Sequence, residues 1–167
     1  MAVLPVRKYP DKVLMTKAEP ITKVTDEIRK LAVDMIETMY AENGVGLAAN
    51  QVGILKQIFV ASHDQVKGRE QVYMNPEIIK KTGVIKEFEG CLSVPEFYEP
   101  VQRAKKVRLR AMTLDGKTVE VDADGLLSRI FQHETDHLNG TLFIDRLGFL
   151  KGRKVKRSLS RKLSKTG

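Results

Sequence analysis

The sequence predicts an α+β fold, with mostly antiparallel sheets packed around a central buried helix, an N-terminal helix ahead of them and a basic C-terminal helix or tail behind. Three observations predict it. Helical spacing of apolar residues is strong in only two segments before the tail, within 25–44 and 125–139. Between them lie short β-rich runs broken by turn residues, and the second helix carries a broad apolar stripe suited to lying on a sheet. A length of 167 residues suits one domain with a real core.

The first helix is TDEIRKLAVDMIETMYAENG. Thr25 precedes Asp26 and Glu27, the apolar residues Ile28, Leu31, Met35, Ile36 and Met39 keep helical spacing, and Asn43-Gly44 gives a stop. Next comes GVGLAANQVG, residues 44–53, whose first six satisfy the loose dinucleotide pattern G-x-G-x-x-A. That fingerprint must follow a strand and open a helix, whereas this stretch follows a helix and leads into QIFVAS. It also lacks the Lys-Ser/Thr of a phosphate-cradling loop, so nucleotide binding is excluded. It reads as a tight loop whose backbone lines a cleft.

QIFVAS at 57–62 and QVYMN at 71–75, before Pro76, read as strands, and 78–88 gives one or two more around Gly83. KKVRLRAMTLDGKTVEVDADG is a hairpin turning at Asp115-Gly116. Asp124 stands where it can cap the second helix, which begins near Gly125 and carries Leu126, Leu127, Ile130, Phe131 and Leu138 as its stripe. Asn139-Gly140 ends it.

No apolar run is long enough to cross a bilayer, and MAVLPVRKYP lacks the apolar core of a secretory signal. The single Cys91 suits a reducing compartment, so a cytoplasmic protein with no membrane partner is expected. The formal charge of +8 is concentrated at one end: residues 151–167 hold eight of the 29 bases and no acid, leaving 21 bases against all 21 acids in 1–150. The chain therefore divides into a body, 1–150, and a basic tail, 151–167. The tail is either a polyanion contact made through phosphates or a solvated end. No DNA partner is expected.

RIFQHETDHLNG, on the second helix, holds the chemistry. Residues four apart share a helix face, so His133 and His137 can aim at one metal ion with Glu134 beside it. An ion held there activates water, and Glu134 would shuttle the proton. The body thus reads as one catalytic metallohydrolase domain and this helix as its metal-binding element. A catalytic site needs a third protein ligand. Phe143 stands where the extended His-Glu-x-x-His-x-x-Gly-x-x-His pattern would place its last histidine, and no glutamate follows Glu134. The ligand must come from upstream, where Cys91 in EFEGCLSVP is preferred to His63 in ASHDQ. A Cys-His-His set accepts zinc, iron(II), nickel or cobalt. If Gln51 faces the metal, its amide and a backbone N–H after Cys91 would stabilise an oxyanion.

Three segments, GVGLAANQ at 44–51, EGCLS at 89–93 and QHETDHL at 132–138, resemble in order and spacing the three motifs of the bacterial peptide deformylases. The resemblance implies removal of the formyl group from the N-terminal formylmethionine of nascent peptides, with Cys91, His133 and His137 holding one divalent ion, natively iron(II), with zinc, nickel or cobalt as substitutes. It implies Glu134 as general acid/base, and Gln51 with the backbone N–H of Leu92 as the oxyanion donors. Val45, Gly46 and Gly90 would pair with substrate backbone, and Val45, Leu126 and Ile130 would line the methionine pocket. Tyr98 stands where some relatives carry arginine. The family also suggests that the tail meets the ribosome and its RNA. Two other readings use the same residues: a metalloendopeptidase, which would cut internal bonds, and an RNA-binding protein with a structural metal.

Overall fold

The computed structural model describes residues 2–166. Helix α1, Asp26–Ala41, starts where the Thr25 side chain accepts a hydrogen bond from the Ile28 amide at 3.3 Å, leaving Asp26 and Glu27 at the positive end of the helix dipole. It ends as the Gly44 amide reaches back to the Met39 carbonyl at 2.9 Å.

Seven strands follow: β1 Gly46–Ala48, β2 Ile58–Ala61, β3 Gln71–Thr82, β4 Ile85–Cys91, β5 Val94–Arg103, β6 Lys106–Met112 and β7 Thr118–Asp124. Five form one sheet in the order β1-β2-β3-β6-β7, and β4 and β5 form a separate hairpin. Every strand pair is antiparallel. Alternation along β2 decides what each face of the sheet meets. Ile58 and Val60 join Met35 and Met39 of α1, while Phe59 and Ala61 join a cluster with Tyr73, Leu109 and Phe131. The rings of Phe59, Tyr73 and Phe131 pack at centroid distances of 5.3 to 6.1 Å.

That second cluster is the seat of α2, Gly125–Leu138, in which every residue from 128 to 138 is buried. β7 feeds directly into α2, so Asp124 occupies the N-cap position without capping through its side chain, contrary to the sequence expectation. Its carboxylate lies 3.8 Å from the Lys106 ammonium across the strand pair. Gly140 follows the helix at φ +76°, and a Cβ there would lie 2.8 Å from the Met15 carbonyl oxygen, so no larger residue fits.

Three strands differ from the sequence reading. β3 runs through Pro76 where a stop was expected, because its pairing with β6 shifts register between Met74 and Glu77 and asks no hydrogen bond of the proline. β1 forms inside the stretch read as a loop. β5 runs through Pro95 and Pro100 in a segment to which the sequence reading gives no strand; it pairs only with β4 and so has a free edge on which a missing N–H costs nothing.

Helix α3, Phe149–Thr166, takes up most of the segment expected as a basic helix or tail. Val155 and Leu159 are buried with Leu14, Val94, Val101, Leu142, Phe143 and Ile144 in a third cluster beneath the hairpin. Among the described residues no helix is long and apolar enough to cross a membrane.

Candidate metal centre and cleft

α2 presents His133 and His137 one turn apart on a buried face, and Cys91 arrives from the last position of β4. The β4–β5 register shifts between Glu89 and Cys91, across Gly90, before the chain turns through Leu92 and Ser93. The shift delivers the Cys91 sulfur to the helix. Its Sγ lies 3.3 Å from His137 Nε2, the two Nε2 atoms are 3.1 Å apart, and one ligand atom from each of the three residues falls within 4.8 Å of the others.

These donors fit one divalent ion. Bonds of about 2.0 to 2.3 Å in a tetrahedral site put neighbouring donors roughly 3.3 to 3.7 Å apart, close to the two spacings that His137 makes. A half-buried thiol and two largely buried imidazoles with their acceptor atoms converging have little reason to meet except around a cation. Their chemistry accepts zinc or a first-row transition metal and chooses none of them.

Behind His133 stands a charge network. Its Nδ1 hydrogen-bonds Glu89, which fixes Nε2 as the atom turned toward the other donors. Glu89 also receives Arg103, through Nη2 at 2.6 Å and Nε at 3.1 Å, and Arg129 at 3.1 Å. Arg103 extends to Asp136 at 2.7 Å, and Arg146 clasps the same carboxylate at 2.7 and 3.1 Å. Burial works to raise the Glu89 value, but the hydrogen bonds from His133 and Arg103 outweigh it and hold its carboxyl well below the usual range. The sequence reading assigned no role to Glu89, Arg103, Arg129 or Asp136. Glu89 was within sight, two positions before Cys91 in EGCLS, but its partners are distant along the chain.

Glu134 faces the opposite way, toward β1. A Cβ on Gly46 would lie 2.7 Å from its Oε1, so the strand can approach only as glycine. Its Oε2 is buried without a hydrogen-bond partner, and burial pushes the carboxyl up to about 7. A carboxyl so placed can take and return a proton near neutrality.

Gln51 sits in the short 3₁₀ turn after β1. Its Oε1 accepts from the Ala48 amide at 3.0 Å, which turns Nε2 toward Ser93 Oγ at 3.2 Å and Cys91 Sγ at 3.6 Å. The donor end of the amide therefore faces the thiol.

A cleft of about 490 Å³ opens over these groups. Val45, Gly46, Gln51, Gly90, Cys91, Leu92, Leu126, Ile130, His133 and Glu134 line it, so each residue given a site role from the sequence borders the cleft except His137, which lies buried beneath. Leu126 is half exposed at its mouth, and His63 lies exposed elsewhere. β1 is an edge strand of the five-stranded sheet, so its unpaired side and Gly90 of the hairpin flank the opening.

Comparison with known proteins gives concordant matches. The family model described as Polypeptide deformylase matches residues 3–153. The peptide deformylase of Acidobacterium capsulatum is 48% identical over 169 residues, covering 100% of this chain and 99% of that protein. Peptide deformylase 1 of Pseudomonas syringae pv. tomato is 47% identical over 162 residues, covering 96% of each. The crystal structure of a peptide deformylase from Legionella pneumophila superposes with a TM-score of 0.89 at 38% identity, covering 98% of both chains.

Proposed function

The chain belongs to the polypeptide deformylase family, metal-dependent hydrolases that remove the N-formyl group from nascent peptides, and on that premise we propose how its own residues divide the work. Cys91, His133 and His137 hold the ion, natively iron(II), with zinc, nickel or cobalt able to replace it. When bound, the ion polarises the formyl carbonyl and makes water a nucleophile near neutral pH. Glu89 keeps His133 in the tautomer that binding requires.

The formylmethionyl peptide lies along the cleft as an added strand, its backbone paired with Val45, Gly46 and Gly90. Val45, Leu126 and Ile130 take the methionine side chain. Glu134 removes a proton from the attacking water as the new C–O bond forms, and negative charge gathers on the formyl oxygen. Gln51 Nε2 and the Leu92 amide donate to that oxygen. Glu134 then gives the proton to the methionine nitrogen as the C–N bond breaks, leaving a free amine and formic acid, which loses its proton to give formate. The observation that carries these roles is the buried Glu134, with one oxygen unpartnered and its carboxyl raised to about 7, beside three converging metal donors.

We place this work in the cytoplasm, with α3 touching ribosomal RNA while the chain emerges. The outward Arg153, Lys154 and Arg157 of that helix support the contact. Anaerobically prepared, iron-loaded protein incubated with formyl-Met-Ala-Ser and acetyl-Met-Ala-Ser tests the reaction. Formate from the first alone, with the Met-Ala bond intact, is expected. A cut Met-Ala bond would return the endopeptidase reading, and no release with metal bound would return the structural metal.

A further inference from the structure

β5 forms the outer wall of the cleft, where Glu96 and Tyr98 line it, and has β4 as its single strand neighbour. A two-stranded hairpin holds its shape poorly unaided, so whatever braces β5 from behind decides where the wall stands. The brace is α3. Val94 and Val101 share one buried cluster with Val155 and Leu159, together with Leu142, Phe143 and Ile144, and Lys151 reaches Glu99 at 2.7 Å. About three turns further along the same face, Lys162 pairs with Glu96 while its ammonium lies 5.4 Å from the Phe97 ring centroid.

Glu96 is the sensitive point. It stands at φ +70°, a left-handed conformation that side-chain-bearing residues rarely adopt, so its geometry depends on what grips it. Two positions on, Tyr98 lies against Gly90 so closely that a Cβ there would come within 2.5 Å of Cε1. Gly90 immediately precedes Cys91. A line of contacts thus runs from Lys162 through Glu96 and Tyr98 to the backbone beside the metal donors.

We infer that Lys151 and Lys162 are positioning residues for the substrate: by fixing β5 they set the wall against which the formylated peptide lies, which makes α3 part of the peptide site. The inference takes only its choice of substrate from the proposed deformylation. The metal donors and Glu134 sit on α2 and at the end of β4, so loosening β5 should weaken peptide binding and spare the chemical step. Exposed ion pairs are weak and screened by salt, which sets both the size of the effect and its signature.

The test uses full-length, metal-loaded protein with formyl-Met-Ala-Ser, comparing the parent with Lys151→Ala/Lys162→Ala and Lys151→Arg/Lys162→Arg. The alanine pair should raise KM about three- to fivefold with kcat and metal content unchanged. The arginine pair, which keeps the charges and can stack on Phe97, should hold the parent KM. High ionic strength should raise KM in the parent but not in the alanine pair. An unchanged KM, a fall confined to kcat, or a raised KM that arginine does not restore would each overturn the inference. A parent protein that releases no formate would instead sink the proposed function, a failure visible before any variant is compared.

Discussion

Glu134 and Glu89 are buried carboxyls on either side of His133, shifted in opposite directions by their surroundings. Glu134 is raised because burial leaves one oxygen unpartnered. In the proposed role of base it must be ionised, so kcat/KM should fall as pH drops through its working value. A divalent cation among Cys91, His133 and His137 would favour the charged form, placing the acid limb between the ordinary 4.5 and about 7. A pH profile with a formylated peptide checks this, and a limb below that window would assign the base elsewhere. Glu134→Gln should cut turnover by about 10³-fold with metal content unchanged, read by single-turnover assay and metal analysis. Glu89 is held low by His133 and Arg103 despite its burial. Its folded value lies below its unfolded one, so its contribution to stability is complete above about 4.5 and is lost as pH falls through the folded value. Glu89→Gln should therefore melt earlier than the parent at pH 7, with the gap narrowing in acid, and bind metal roughly 10- to 100-fold more weakly.

At the scale of elements, what could be read from the sequence was what has a period or a scarce donor. α2 announces itself by apolar spacing and a Gly-bearing stop, and its two histidines stand out in a chain with three. Cys91 came within reach because the chain offers one thiol and, besides His63, only ordinary carboxylates upstream. β5 was hidden by two prolines, whose cost vanishes only on a free edge, and β1 is three residues long, shorter than any alternation can reveal. The Glu89–Arg103–Asp136–Arg146 network has no local signature, because its members are ordinary charges brought together by the hairpin closing over α2. α3 was visible as a cationic segment but not as a brace, since its few apolar residues, Phe149, Leu150, Val155, Leu159 and Leu163, are outnumbered by eight bases. The burial of Val155 and Leu159 predicts a cost that charge does not. Leu159→Ala should lower stability by about 2 kcal/mol in a denaturant titration, whereas replacing exposed Lys154 should leave it within about 0.5 kcal/mol.

For the molecule as a whole, the five-stranded sheet carries α1 on one face and α2 on the other, and the separate hairpin closes over α2 to make the cleft. α3 lies beneath that hairpin with much of its charge turned outward, so the proposed ribosome contact would share a helix with the core packing, and a deletion could not separate the two. Removing residues 151–167 would strip Val155 and Leu159 from the core along with the bases. Charge reversal separates them. Arg153, Lys154 and Arg157 are exposed and have no place on β5 or in the cleft, unlike Lys151 and Lys162. If they meet ribosomal RNA, reversing all three to glutamate should weaken ribosome binding by about tenfold or more and flatten its dependence on salt, because fewer phosphates are neutralised and fewer counterions are set free on binding. Hydrolysis of a small formylated peptide by the same variant should keep the parent kcat and KM, because the wall of the cleft is untouched. Sedimentation with ribosomes across a salt series measures the first quantity and formate release the second. Unchanged ribosome affinity would confine α3 to the core and the cleft, and a raised KM would mean that its outward charges also reach the peptide.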